Sequence, residues 1–256
     1  MTLEICTEAL RQHDPDRFGA VLVAEPGDRP ALVTLYALNL EIARAPFQSA
    51  EPMLAEMRLQ WWIDRLEEMG DGTAPPLHDV LTPLWEAWGR QAGDLVPLAE
   101  ARRRDCDRQA FATPAEVTAY VDATSGALMW AAGHRCGATE KMREIVTHQA
   151  RGAGLAAWLR ALPQLQALNS GLAMPQPGHV HALAAEARDG LRMAARQHRK
   201  LPRRAAAALY PGPRVPRLLS EIMSGAVDPL VSVPAITPFQ RRASLARLAL
   251  TGRWWR

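Results

Sequence analysis

The side chains best suited to holding a metal ion lie in one short segment, Asp64-Arg65-Leu66-Glu67-Glu68. Asp64 and Glu68 are four residues apart, so both lie on one face of a helix and could share a cation. Carboxylates of this kind are typical ligands of magnesium. However, Arg65 lies inside the segment, and Gly70-Asp71-Gly72 follows almost at once. We therefore favour a solvated helix end over a metal site.

Two other groups could in principle do chemistry. His179 and His181 would need an extended backbone and further ligands to hold a metal, and no further ligand is evident. Asp122 and Ser125 have no histidine at the spacing of a hydrolase triad. An exposed helix start explains the first group better, and the second group predicts no hydrolase.

A long stretch contains no acidic side chain at all. Between Glu144 and Glu186 the chain has no Asp and no Glu, whatever register is chosen. Within it, Arg160 is followed by Ala161-Leu162-Pro163-Gln164. Because magnesium sites are built mainly from carboxylates and water, this part of the chain offers magnesium no ligand set of its own.

The elements that carry these residues are predicted to be helices. Strong helix formers are abundant, and the prolines fall mostly between the periodic stretches, where they can end a helix without breaking it. We predict helices over about residues 2–12, 15–24, 28–45, 51–69, 77–92, 94–110, 114–136, 139–168, 178–199, 202–209, 213–224 and 238–251.

The chain is predicted to form a single domain over residues 1–256. The two clearest loops, Asp71–Pro76 and Asn169–Gly178, are rich in turn-forming residues but too short to link domains. No internal repeat or low-complexity tract divides the sequence. A basic tail at about 240–256 completes the predicted domain.

Several stretches resemble the squalene/phytoene synthase family, and more closely a bacterial branch of it. They are Leu35–Arg44, Glu51–Trp62, and Tyr120–Leu128 together with the later Arg151–Arg160. With Asp14-Pro15-Asp16-Arg17-Phe18 near the start, the similarity spans roughly residues 11–200. The segment Met53–Trp62 is the most specific match, and the order of the matches along the chain supplies most of the weight.

The resemblance implies an all-α fold, a single-domain helical bundle of the isoprenoid synthase type around a central cavity. In the enzymes of the family, two facing aspartate-rich motifs hold magnesium ions. These ions bind prenyl diphosphates and neutralise the leaving diphosphate as the allylic carbon–oxygen bond breaks. The same bacterial branch also resembles the mitochondrial complex I assembly factors, which share the fold.

This sequence departs from the family at both aspartate-rich motifs. Ala43, Arg44 and Phe47 stand where the first motif should place acids, and Ala161 follows Arg160 where the second should have an aspartate. We therefore expect no catalytic residue, no metal-binding residue and no cofactor. The resemblance then implies a non-catalytic protein that binds an isoprenoid or other lipid, or a partner in respiratory-complex assembly.

Two alternatives remain open. The first is an active head-to-head prenyl transferase that uses magnesium at a displaced site, such as Asp64, Glu67 and Glu68. The second is a helical scaffold whose cavity has closed and binds no ligand. The acid-free stretch around Arg160 argues against the enzyme.

Six residues on the matching helices are the candidates for contact with a ligand in the cavity. Arg58, Gln60 and Arg160 are polar groups beside apolar stripes, so they could reach a ligand head group or brace a neighbouring helix. Adjacent Trp61 and Trp62 point about 100° apart, so one can enter the core while the other flanks it or lines a cavity. The candidates are Tyr36, Asn39, Arg58, Gln60, Trp61 and Arg160.

The tail Gln240–Arg256 contains five arginines and no acid, and it ends in a pair of tryptophans, Trp254 and Trp255. Basic residues beside aromatic and apolar ones suit the surface of an anionic membrane. We predict a peripheral membrane contact here, with the tryptophans as interfacial anchors. The alternative is that the tail packs against the helical bundle.

Composition excludes several other classes of protein. Thirty basic against twenty-seven acidic residues give a formal charge of only +3, which does not predict nucleic-acid binding. Cys6, Cys106 and Cys136 lack the spacing of a zinc or redox site, so we expect reduced thiols. With no secretory signal and no run of 18 apolar residues, we predict a cytoplasmic protein, peripheral on the inner face of the membrane if the tail binds there.

Overall fold

The computed structural model describes residues 3–255, and its helices divide into two compact units, one up to Asp107 and one from Arg108. The described residues form no β-strand, and one isolated β-bridge joins Phe111 to Leu172. The prediction of an all-helical chain is therefore confirmed. Arg256, the last residue of the predicted tail, lies outside the described residues.

The α-helices of the first unit are α1 (Leu3–His13), α2 (Pro15–Val23), α3 (Arg29–Arg44), α4 (Pro52–Asp71), α5 (Leu81–Trp88), α6 (Val96–Glu100) and α7 (Arg103–Cys106). Those of the second unit are α8 (Pro114–Val121), α9 (Ala127–Arg135), α10 (Arg143–Ala167), α11 (Pro177–Arg196), α12 (Val215–Met223) and α13 (Pro238–Thr251).

Helix α3 lies at the centre of the first unit. Its residues from Ala31 to Asn39 are all buried, because α1, α2 and α5 pack around it. The indole nitrogen of Trp88 on α5 donates to the backbone carbonyl of Ala31 at 3.1 Å, which ties the two helices together. A helix that is apolar on most of its faces must be enclosed in this way.

Residues 77–110 are less regular than predicted. The chain enters α5 only at Leu81, because the His78 ring nitrogen Nδ1 accepts from the backbone N–H groups of Val80 and Leu81 and holds a turn there. Beyond α5 the backbone tightens into a 3-10 helix, Gly89–Leu95. A Cβ atom on Gly93 would lie 2.7 Å from the Cα of Gly70 on α4, so this close approach needs glycine.

The second unit is built on the contact between α10 and α11. A Cβ atom on Gly152 of α10 would lie 2.6 Å from the carbonyl oxygen of Ala187, and one on Gly190 of α11 would lie 2.7 Å from that of His148. The glycines therefore let the two backbones approach closely. A core of aliphatic and aromatic side chains from α8, α10, α11 and α12 fills the rest of this unit.

The long helix predicted over 114–136 contains a π-helical segment, Asp122–Gly126, between α8 and α9. One extra residue in the turn changes which side chains face α10. A Cβ atom on Gly154 of α10 would lie 2.8 Å from the Cβ of Ser125, so the π segment packs tightly against that helix. Single-turn π segments of this kind are often found near functional sites.

Candidate ligand-binding site

The candidate residues on α3 are buried. Tyr36 is 4% exposed, and the guanidinium carbon of Arg17 lies 5.5 Å from the centre of its ring, within the range of a cation–π contact. Asp14 positions that cation, since its carboxylate accepts from the Arg17 side chain at 2.7 Å and from the Arg17 backbone N–H at 3.0 Å. Asn39, one turn further along α3, is a buried amide.

On α4, Arg58 and Gln60 have partners within the protein. The exposed Arg58 side chain donates to the amide oxygen of Gln48 at 2.7 Å. Gln60 donates to Asp64 at 2.6 Å and accepts from Arg103 of α7 at 2.5 Å. The sequence left two roles open for these side chains, ligand binding or bracing of a neighbouring segment. In the structure, Arg58 and Gln60 brace neighbouring segments.

Arg103 is the centre of this bracing network, and sequence reasoning missed it. Besides Gln60, it binds the carboxylates of Glu100 and Glu56, at 2.6 and 2.7 Å. The hydrogen bond that Arg103 donates to the Glu100 carboxylate raises the pKa of Arg103. Arg103 stands in the tract Arg102-Arg103-Arg104, and a partner 43 residues away in sequence leaves no local pattern there.

The two adjacent tryptophans of α4 point in different directions and differ in exposure. Trp62 is 6% exposed and enters the core of the first unit, whereas Trp61 is 37% exposed. Their rings meet edge to face with centres 5.0 Å apart, and the ring of His78 lies 5.4 Å from Trp61 and 5.3 Å from Trp62. Trp61 thus presents part of an aromatic surface to solvent.

Two acidic side chains of α4, Asp64 and Glu68, contact other side chains of the same helix. Asp64 accepts from Gln60, and Glu68 forms an ion pair with Arg65 one turn away. Across residues 3–255, no three side chains of the histidine, cysteine, aspartate or glutamate types come together in a group able to hold a metal ion. Asp64, Glu67 and Glu68 are thus not gathered into such a group.

In the second unit, Arg160 and Arg151 both link helix α10 to other segments. Arg160 donates to the backbone carbonyl of Pro213 at 3.1 Å, just before α12. Arg151 binds Asp122 of the π segment and lies 3.8 Å from Glu186 of α11, which in turn accepts from Thr118 of α8 at 2.9 Å. Only Arg160 was a candidate from sequence.

The basic tail packs against the second unit. Helix α13 begins with a capping box between Thr237 and Gln240. Trp254 beyond its end is 3% exposed, and the ring of Trp255 stacks on His198 with centres 4.0 Å apart. Trp254 is therefore buried in the protein and not placed to anchor a membrane, whereas Trp255 is half-buried. The charged groups of Arg242, Arg247 and Arg253 lie on exposed residues.

No described helix combines the length and the apolar character that crossing a bilayer requires.

Known proteins resemble this chain in sequence. The family model for squalene/phytoene synthase matches residues 10–177. NADH dehydrogenase (ubiquinone) complex I, assembly factor 6, from Homo sapiens and from Mus musculus, is 25% identical over 162 residues, which is 62% of this chain and 48% of each relative. The chain thus spans about half the length of the curated relatives it matches.

Solved structures share the fold. A dehydrosqualene synthase in complex with ligand superimposes with a TM-score of 0.74 at 11% identity, covering 96% of this chain and 94% of that one. Squalene synthase HpnC from Alicyclobacillus acidocaldarius gives a TM-score of 0.63 at 14% identity, covering 98% and 94%. The family match extends over most of the chain, and the all-helical architecture agrees with it. This chain belongs to the squalene/phytoene synthase family.

Proposed function

We propose that this protein is a non-catalytic member of its family that binds a lipid or a partner during assembly of a respiratory complex. The observation that carries the proposal is the composition of helix α10. From Ile145 to Ala167 this helix has no carboxylate, although it is the helix that resembles the second metal site of the enzymes. A diphosphate-bound magnesium ion would therefore have no acidic ligand on it.

The contacts of the remaining acids support the same conclusion. Asp64 and Glu68, the best replacement ligands in the sequence, are engaged by Gln60 and Arg65. Asp122 and Glu186, from segments packed against α10, are engaged by Arg151 of that helix. Each of these carboxylates already has a hydrogen-bonding or charged partner, so recruiting it to a metal would cost that contact. The residues of this chain do not fit a magnesium site of the family's kind.

The named relatives support the assembly role. The curated proteins that match residues of this chain are called assembly factors of complex I, and the match covers 62% of the chain. We extend that role to this chain as a proposal, with an isoprenoid or similar lipid as the ligand of the fold. The proposed location is the cytoplasm, at the inner face of the membrane where respiratory complexes are built.

The catalytic half of the proposal is tested with purified protein. Farnesyl and geranylgeranyl diphosphate are incubated with magnesium and the full chain, and released pyrophosphate is measured against a control without protein. We expect no release above the control. Turnover that EDTA abolishes would refute the proposal. If Asp64→Ala then removed the turnover while Asp189→Ala, an exposed acid on α11, kept it, the displaced metal site would be the correct account.

The assembly half is tested in the native host. Deleting the coding sequence is expected to lower NADH:ubiquinone oxidoreductase activity in membranes and to leave squalene and carotenoid content unchanged. The reverse pattern would identify a prenyl transferase. Mass spectrometry of the lipids that copurify with the protein then identifies the ligand class, and a protein free of lipid would favour a scaffold with a closed cavity.

A further inference from the structure

A cavity of about 480 Å³ lies within the second unit, between α10, α11, the segment that leads into α12, and α13. Ligand-binding cavities for small molecules usually measure about 300–1,000 Å³, so this one is large enough to hold such a molecule. Its lining includes Gln149, Leu191, Pro211, Ala243, Trp254 and Trp255.

Gln149 of α10 provides a buried polar group to this cavity. Its side chain is completely buried, and its amide nitrogen donates to the backbone carbonyl of Leu209 at 2.8 Å. Because a carbonyl can only accept, this bond determines which end of the amide is the nitrogen. The amide oxygen Oε1 is then the end that accepts no hydrogen bond. Buried acceptors in folded proteins nearly always have a donor, so this atom lacks a partner that a ligand group at this end of the cavity could supply.

Much of the cavity lining is apolar. Leu191 of α11 and Pro211 contribute aliphatic surface, and the half-buried Trp255, backed by the buried Trp254, contributes aromatic surface. Trp254 meets Trp255 edge to face with ring centres 5.4 Å apart, so the two indoles form a rigid aromatic corner. A flat apolar group fits such a corner better than a flexible chain does.

The cavity lining also carries positive charge. Arg214 and Arg217 both pair with the single carboxylate of Glu221, at 3.7 and 2.6 Å, so two cations share one anion. Arg247 of α13 adds a third guanidinium to the lining. Because Arg214 and Arg217 share the one negative charge of Glu221, this side of the cavity favours a ligand that carries a negative charge.

We propose that this cavity is a binding site for a small amphipathic anion, which has a flat apolar body, one anionic group and one N–H or O–H donor. The body lies against Trp255 and Leu191, the donor reaches Oε1 of Gln149, and the anionic group faces the arginines. This site lies inside the second unit and involves none of the carboxylates considered as metal ligands. It stands independently of whether the protein is an enzyme or an assembly factor.

The probe for the test is 8-anilinonaphthalene-1-sulfonate, which has a flat apolar body, an N–H donor and a sulfonate. Its uncharged relative N-phenyl-1-naphthylamine has the same body and donor without the anion. Each is titrated into the full chain by fluorescence. We expect saturable binding of the sulfonate at one site, and binding of the uncharged probe weaker by about tenfold, the size of a charge-assisted contact.

Three variants locate the site. Ala243→Phe fills the cavity and is expected to abolish saturable binding, whereas Ala249→Phe, on the same helix and exposed but outside the lining, should bind as the unchanged chain does. Gln149→Leu removes the acceptor and should weaken binding by about fivefold, as expected for one neutral hydrogen bond. Far-ultraviolet circular dichroism checks that each variant is folded.

The results that would overturn the proposal are specific. Equal binding by Ala243→Phe and Ala249→Phe would show that the probe sits elsewhere on the protein. Equal affinity for the charged and uncharged probes would remove the anion from the proposed ligand. If Gln149→Leu failed to fold, the comparison of the two phenylalanine variants would still decide the location.

Discussion

The guanidinium group of Arg151 donates to both carboxylate oxygens of Asp122, with N–O distances of 3.0 and 2.5 Å. This two-point contact joins helix α10 to the first residue of the π-helical segment. Both side chains are 31% exposed, so water screens the pair only in part. Donation to the Asp122 carboxylate also raises the pKa of Arg151, which stays charged. The pair anchors the irregular segment to the central helix of the second unit.

Replacing Asp122 with Ala is expected to lower the free energy of unfolding by about 1–2 kcal/mol, because Arg151 then keeps only the longer contact with Glu186. Urea denaturation followed by circular dichroism measures the change. As a control, Glu140→Ala breaks a pair with Arg143 whose side chains are 68% and 51% exposed, and because water screens this pair we expect a much smaller loss of stability. Equal effects of the two changes would contradict a special role for Asp122.

Replacing Gly152 with Ala is expected to destabilise the protein by about 1–3 kcal/mol, because the added methyl group would overlap the backbone of α11 at Ala187. Thermal unfolding monitored by tryptophan fluorescence measures it. Gly178→Ala is the matched control, since it lies on a helix and nothing lies within 4 Å of its added Cβ. That variant should be neutral or slightly more stable, and a loss of stability similar to that of Gly152→Ala would count against the close-packing argument.

The three cysteines should be unreactive in the folded protein, because Cys6, Cys106 and Cys136 are all buried. Burial raises the pKa of the Cys6 thiol to about 11, with Asp79 adding to the shift, and burial likewise raises the pKa of Cys106 to about 11. We expect no reaction with Ellman's reagent at pH 8 and reaction of all three thiols in guanidinium chloride. Rapid labelling of any thiol under native conditions would show that the core opens.

The same shifts predict how stability depends on pH. The ordinary thiol pKa is 9.0, so above this value the unfolded chain loses protons that folded Cys6 and Cys106 retain. Their contribution to the free energy of unfolding is complete below pH 9 and declines as the pH rises to about 11. A Cys6→Ala variant should therefore lose less stability than the unchanged chain over this range, which urea titrations at several pH values can measure.

The tail is still predicted to bind anionic membranes, but through different apolar residues. Phe239 and Leu250 of α13 are 79% and 81% exposed and lie eleven residues apart, on one face of the helix. Arg242 and Arg247 flank them on exposed positions. Each basic group near an anionic surface contributes about 1 kcal/mol, and added salt screens it over about 8–10 Å.

We expect the full chain to cosediment with phosphatidylglycerol vesicles and not with phosphatidylcholine vesicles, and high salt should weaken the binding. The double variant Phe239→Ser, Leu250→Ser should bind less, whereas Leu77→Ser, an equally exposed leucine of the first unit, should not change binding. Removing the tail is a poorer test, because it would also remove the buried Trp254. Binding that ignores lipid charge and salt would show that α13 serves only to cover the second unit.

The sequence by itself was enough to predict the family and most of the helices. Helix starts depend on residues within one turn of each other, so they can be recognised from neighbouring positions in the sequence. Examples are Pro52 at the first turn of α4 and the capping box between Thr237 and Gln240 at the start of α13. The absence of acid from residues 145–167 of α10 is likewise a property of composition, and no arrangement of the helices can supply carboxylates that this segment lacks.

Only the tertiary structure decided which side chains meet. Gln149 donates to Leu209, which is sixty residues away in sequence, and Arg151 donates to Asp122, which is twenty-nine residues away. Trp254 reads as a membrane anchor in sequence and is buried in the fold. Periodicity reports which face of a helix is apolar, but not which neighbour covers that face. The partners of polar groups, the cavity beside α13 and the burial of the tail depend on packing between distant segments, which leaves no local pattern in the chain.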